Sequence, residues 1–148
     1  MIVRGGSDNS SLFDTGGRYN PSSDSWMATS TSHAPSGRKS HTAAWTGSEM
    51  IVWGGSDNSS LFDTGGRYNP DADSWTATNT TNAPEARASH TAVWTGSVMN
   101  IWGGFNGVER LNTGGRYCTE PSALTPSPTP RPTPAPRPRS TPHPRPTP

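Results

Sequence analysis

The chain has 148 residues, of which 28% are apolar and 16% are charged, and its formal net charge is +1. No run of about 18 apolar residues occurs, so no membrane-spanning helix is expected. The near-neutral charge gives no reason to expect a nucleic-acid partner, and the single cysteine, Cys118, excludes an internal disulfide.

The chain repeats itself with a period of 49 residues. Residues 1–49 and 50–98 align without a gap and are identical at 37 of 49 positions, and a partial third copy covers residues 99–118. A period near 50 residues is typical of a propeller or an array.

In chain order, each copy predicts short strands and no helix. The best-defined four-stranded unit has strand character at residues 41–47, 50–53, 66–69 and 74–80, between clusters of Gly, Asn, Asp and Ser. Side chains alternate along a strand, so Met50 and Val52 should face one way and Ile51 and Trp53 the other. The first copy lacks the first of these strands, and the third copy stops after its third strand.

A double glycine followed at fixed distances by Tyr and then Trp resembles the Kelch motif. The resemblance implies four-stranded antiparallel blades of the galactose oxidase-like Kelch propeller family, here as an incomplete ring with an all-β fold. The residues that carry it are Gly5, Gly6, Tyr19 and Trp26, then Gly54, Gly55, Tyr68 and Trp75, then Gly103, Gly104 and Tyr117.

About two and a half blades cannot close a ring, because even a small propeller would take about 200 residues at this period. One explanation is that the chain is a fragment of a longer Kelch protein, since Met1 aligns with the internal Met50 and Met99. The other explanation is a short chain that completes its blades by self-association, because uncovered blade faces and strand edges favour association.

Residues 119–148 are predicted to be a disordered linker or tail rich in Pro, Thr and Arg. Twelve prolines occur among residues 121–148, so an extended polyproline-type segment is expected. Four arginines give the tail a positive charge, which favours either an extended spacer or contact with anionic wall polymers or membranes. This composition resembles exported bacterial proteins, so an extracytoplasmic or secreted location is expected.

Three recurring residues lead into the first strand of a copy: Arg38, Ser40 and His41, repeated at positions 87, 89 and 90. Because they recur once per copy, hydrogen bonding to loop backbone is the expected role, rather than metal binding. Asp8 and Asp57 lie in the loops after the double glycines. Their carboxylates could bind calcium or form a turn with nearby backbone groups. The turn is favoured, and no metal or cofactor is expected.

No nucleophile, base and orienting group can be assembled, so the chain is not expected to be an enzyme. The expected function is a non-catalytic interaction module, in an exported bacterial-type propeller, that binds a protein or glycan through its blade loops. The alternative is a remnant of a secreted carbohydrate-active propeller enzyme. By position in Kelch propellers, the candidate binding residues are Ser7, Asp8, Asn9, Ser40, Ser56, Asp57, Asn58, Ser89, Phe105 and Asn106.

Overall fold

The computed structural model describes residues 1–8 and 10–118. Within these residues the chain forms strands and loops and no helix. The strands are β1 (Ile2–Arg4), β2 (Gly16–Asn20), β3 (Ser25–Ala28), β4 (Thr42–Trp45), β5 (Met50–Trp53), β6 (Gly65–Asn69), β7 (Ser74–Ala77), β8 (Thr91–Trp94), β9 (Val98–Trp102) and β10 (Gly114–Cys118).

The strands form three antiparallel sheets, and the first strands of the second and third sheets, β4 and β8, come from the end of the preceding copy of the repeat. We call the sheet β1-β2-β3 blade 1, the sheet β4-β5-β6-β7 blade 2, and the sheet β8-β9-β10 blade 3. Over the described residues, blade 1 has no first strand and blade 3 has no fourth. The predicted all-β fold with incomplete Kelch blades in an open ring is therefore confirmed, whereas the predicted tail at residues 119–148 lies outside the described residues.

Two strands end earlier than the sequence predicts. β4 ends at residue 45 and not 47, and β7 ends at residue 77 and not 80. After β4 the chain turns, because the Thr46 hydroxyl oxygen accepts the backbone N–H groups of Ser48 and Glu49 at 3.3 and 2.9 Å. Local side-chain bonds of this kind compete with a strand and end it.

Two apolar clusters lie between the blades, one on each side of blade 2. Met50 and Val52 belong to the cluster that packs against blade 1, and Ile51 and Trp53 belong to the one that packs against blade 3. The predicted alternation along this strand is thus confirmed. Because every second side chain goes to the opposite face, blade 2 is the only described sheet that is covered on both faces.

The Tyr and Trp of the Kelch motif are cross-strand partners. Tyr68 on β6 lies opposite Trp75 on β7, their ring centroids are 5.0 Å apart, and the Tyr68 hydroxyl donates to Asp73 Oδ1 at 2.5 Å. The Trp75 indole N–H donates to the Ser30 carbonyl of blade 1 at 2.9 Å. The motif therefore ties the outer strands of one blade together and joins them to the preceding blade.

Candidate functional site

The loops after the double glycines pair with the loops that lead into the first strands. Lys39 and Ser56 exchange two backbone hydrogen bonds of 2.9 Å, and Ala88 and Phe105 exchange two of 3.0 and 2.9 Å. We call the surface formed by residues 5–8, 38–41, 54–61, 87–90 and 103–110 the loop face. The structure thus brings both predicted sets of loops together on one side of the molecule.

Two buried arginines, Arg38 and Arg87, hold the segments of the loop face together. The Arg38 Nη1 donates to the carbonyls of Gly54 and Thr64 at 3.0 and 2.9 Å. One period later, the Arg87 Nη1 donates to Gly103 and Thr113 at 3.0 and 2.8 Å. The predicted role, in which a guanidinium binds loop backbone, is observed at both positions, and it fixes each loop against the strand that follows it.

Arg38 remains charged even though it is buried. Burial lowers the pKa of Arg38 to about 10, and the nearby Arg4 adds to this effect. That pKa is still far above neutral pH, so Arg38 donates as a cation. Hydrogen bonds from a charged donor to backbone carbonyls are stronger than neutral ones, and each guanidinium therefore stabilises two loop segments at once.

The repeated histidines are structural in geometry. His90 is buried, its Nε2 lies 2.7 Å from Thr42 Oγ1, and its ring packs edge-on against Trp53. Burial lowers the pKa of His90 to about 4, with Arg87 adding to the effect, and burial likewise lowers the pKa of His41. Both rings are neutral at pH 7. Among the described residues, no group of three or more His, Cys, Asp and Glu is placed to hold a metal ion.

Acidic and amide side chains shape the tip of each loop. Asp57 Oδ1 accepts the N–H groups of Ser59 and Ser60 at 2.7 and 2.6 Å, and Asp8 Oδ1 makes the equivalent bonds in blade 1. These backbone bonds lower the pKa of both aspartates. In blade 3 the acceptor is Asn106 Oδ1. This is the turn geometry that Asp and Asn favour, and it leaves ionised carboxylates on the loop face.

Two serines of the loop face have a backbone conformation that is uncommon for residues other than glycine. Ser40 and Ser89 have φ angles of 55° and 54°, in the left-handed region. The Ser89 N–H donates to the Ser40 carbonyl at 2.9 Å, so the two strained positions lie side by side. Residues in this region often occur at functional sites, where the surrounding structure holds them.

The predicted binding residues are all on the loop face where the structure describes them, but not all are equally accessible. Asn9 lies outside the described residues. Ser56, Asp57 and Asn106 are partly buried, and the exposed ones are Ser7, Asp8, Ser40, Asn58, Ser89 and Phe105. Their role in binding stays a prediction.

Sequence reasoning missed the polar groove at the end of the loop face. Asn106 Nδ2 donates to Glu85 Oε1 at 2.9 Å, and Glu109 and Arg110 line the same cavity of about 350 Å³. Glu85 replaces Ser36 of the first copy, so this contact has no counterpart in the repeat. Comparison of the copies therefore gave no signal for it.

The comparisons agree with the fold. The family model of the KLHDC2/KLHL20/DRC7 Kelch-repeats domain matches residues 1–143. No curated protein shows significant similarity to the chain. Because this match covers more than half of the chain, the chain belongs to the Kelch-repeat family.

Proposed function

We propose that the chain is a non-catalytic module that binds a protein partner through its loop face. Kelch repeats generally mediate protein binding, and domains of this family are typically not catalytic. The observation that carries the proposal is the pairing of Lys39 with Ser56 and of Ala88 with Phe105. These pairs hold exposed side chains on a fixed backbone, and preorganisation of this kind reduces the entropic cost of binding.

The chemistry of the loop face suits a protein surface with hydrogen-bond donors and positive charge. Asp8 and Asp57 stay ionised at neutral pH because backbone bonds lower their pKa values. Lys39 donates to Asn58 Oδ1 at 3.4 Å and lies near Asp57, which makes that part of the face mixed in charge. Phe105 is exposed beside these polar groups, and an exposed aromatic ring is a frequent anchor in protein interfaces.

A glycan partner has less support. The exposed indoles of Trp26, Trp45 and Trp102 lie on strands and not on the loop face, and the indoles of Trp53 and Trp75 are buried between blades. The described residues offer no observation that favours the remnant of a carbohydrate-active enzyme. An extracytoplasmic location and an origin as a fragment of an exported bacterial protein stay predictions.

Site-specific photo-crosslinking tests the proposal. A photoreactive residue would replace Asn58 or Phe105 in the full chain, and Thr76, which is exposed on the outer strand β7, would be the matched control. After irradiation in extracts of the native source, we expect the same protein to be captured from positions 58 and 105 and not from position 76. Capture at position 76 alone, or of no protein at any position, would contradict the loop-face proposal.

A further inference from the structure

The first and last blades each leave one apolar face uncovered. Blade 1 exposes a face that carries Met1, Val3 and Trp26, which we call the blade-1 end face. Blade 3 exposes a face that carries Val93 and Trp102, which we call the blade-3 end face. The two faces look in opposite directions along the row of blades, because their residues alternate with the residues that face blade 2.

The same positions are buried in blade 2, where a neighbouring blade covers them. Trp26 is 54% exposed, whereas Trp75, one period later, is 6% exposed beneath blade 1. Trp102 is 62% exposed, whereas Trp53, one period earlier, is 2% exposed beneath blade 3. The difference in exposure therefore comes from the presence or absence of a neighbouring blade, and not from the side chains themselves.

The chain thus carries both halves of its own blade-to-blade interface, one half at each end. The junctions between blades 1 and 2 and between blades 2 and 3 repeat one interface along the second and third strands. The contact between first strands, β4 with β8, occurs only in the later junction, because blade 1 has no first strand among the described residues. We propose that the blade-3 end face of one copy packs against the blade-1 end face of a second copy, and that two copies close into a ring of six blades. Such a head-to-tail contact closes into a ring when the successive rotations complete one full turn, and otherwise gives an open filament. Six blades fall in the range of about four to eight that propellers adopt.

A polar contact fixes the direction of this pairing. The Arg18 Nη1 donates to the Pro70 carbonyl across the junction between blades 1 and 2. Arg116 is the equivalent of Arg18 in blade 3 and is exposed, and Pro21 is the equivalent of Pro70 in blade 1. In the proposed junction, Arg116 meets the Pro21 carbonyl of the second copy. Two like end faces, placed against each other, would leave the Arg116 side chain without this acceptor.

This proposal goes beyond binding through the loop face and does not depend on it. The end faces consist of strand residues of β1, β3, β8 and β9, whereas the loop face consists of the loops between strands. Ring formation and partner binding can therefore succeed or fail separately.

The test is the solution mass of the full chain by light scattering, measured over a range of concentrations. We expect twice the chain mass of 15.7 kDa. Trp102→Glu and Trp26→Glu should each reduce the mass to that of a single copy, because each places a charge in the junction. An equimolar mixture of the two variants should recover two-copy species, since one of its two junctions then contains no substitution.

Two further variants keep the test decisive. Val3→Glu alters the blade-1 end face at a second exposed position, equivalent to the buried Val52, and should also give a single copy. Val108→Glu is the control, because its equivalent Ser59 stays exposed beside blade 3, and it should leave the mass at two copies. The circular dichroism spectrum should be unchanged by these substitutions of exposed side chains, whereas the melting temperature should fall only in the variants that lose association.

A single-copy mass for the unaltered chain would overturn the proposal, and larger masses that grow with concentration would overturn closure at two copies. Loss of association in Trp26→Glu together with full association in Trp102→Glu would instead show pairing of two blade-1 end faces. That result would also refute the head-to-tail contact.

Discussion

Thr42 Oγ1 lies 2.7 Å from His90 Nε2, and this contact joins the first strand of blade 2 to the loop that enters blade 3. Beside it, the Ser89 N–H donates to the Ser40 carbonyl at 2.9 Å. His90 and Ser89 therefore connect blade 2 to blade 3 within the loop face. The stability of this junction depends on a neutral imidazole.

The first prediction concerns pH. Burial lowers the pKa of folded His90 to about 4, whereas an unfolded histidine has a pKa of about 6.5. Protons therefore bind the unfolded chain more readily than the folded chain. The contribution of neutral His90 to the free energy of unfolding is complete above about pH 6.5 and is lost as the pH falls toward 4. We expect urea unfolding at pH 7, 6 and 5 to show a falling free energy of unfolding.

The variant His90→Gln should flatten that pH dependence and keep an acceptor or donor for Thr42. The flattening should be partial, because burial also lowers the pKa of His41 in the same direction. The matched control is His33→Gln, since His33 is exposed, and it should keep the slope of the unaltered chain. An unchanged slope in His90→Gln would show that this imidazole is not the titrating group.

The second prediction concerns the buried guanidinium of Arg87. Arg87→Lys keeps the charge but loses the fork that donates to Gly103 and Thr113. Two buried carbonyls then lose a charged donor, and we expect the free energy of unfolding to fall by about 2–4 kcal/mol. Arg110→Lys, at an exposed position, should change it by less than about 0.5 kcal/mol. Equal effects of the two variants in chemical denaturation would refute the supporting role of Arg87.

The third prediction separates the charge of Asp57 from its turn geometry. Asp57→Ala removes the acceptor for the Ser59 and Ser60 N–H groups and should lower the free energy of unfolding. Asp57→Asn keeps an acceptor oxygen at the same place, as Asn106 does in blade 3, and should cost little. If both variants lose equal stability in urea, then the charge and not the turn supports the loop.

The fourth prediction concerns Gly65 in β6. A Cβ at this position would lie 2.1 Å from the Val52 carbonyl oxygen of the neighbouring strand, which no real Cβ can do. Gly65→Ala should therefore cost about 3 kcal/mol or more, or prevent folding, because the central pair of strands must separate. At Gly47 there is open space but φ is 109°, so Gly47→Ala should cost only about 1 kcal/mol. Thermal melting that ranks the two variants in the opposite order would contradict the assigned packing.

The repeat made the fold predictable, because alternation along residues 50–53 determines which side chain faces which neighbour. Met50 and Ile51 lie in the opposite clusters that this alternation requires. The role of Arg38 followed from its recurrence at Arg87, since a residue present once per copy is more often part of the framework than of a unique site.

Other features could not be read from the pattern. The pairing of Lys39 with Ser56 joins residues of different loops, and the contact of Asn106 with Glu85 depends on a residue that the first copy lacks. Arg4 stands where the second copy has Trp53, and its guanidinium lies 4.3 Å from the Trp75 ring centroid. A cation–π contact thus replaces an apolar one, and only tertiary structure shows it.

The most direct test of the loop-face proposal is the affinity of the crosslinked partner protein for variants of the full chain. The triple variant Asp57→Asn, Asn58→Ser and Phe105→Ser retains an acceptor at position 57 but removes the loop-face carboxylate, amide and aromatic ring. We expect it to bind at least about tenfold more weakly in titration calorimetry, which corresponds to about 1.4 kcal/mol, while the control Thr76→Ser binds as the unaltered chain does. Equal affinity of the triple variant and the unaltered chain would contradict binding through the loop face.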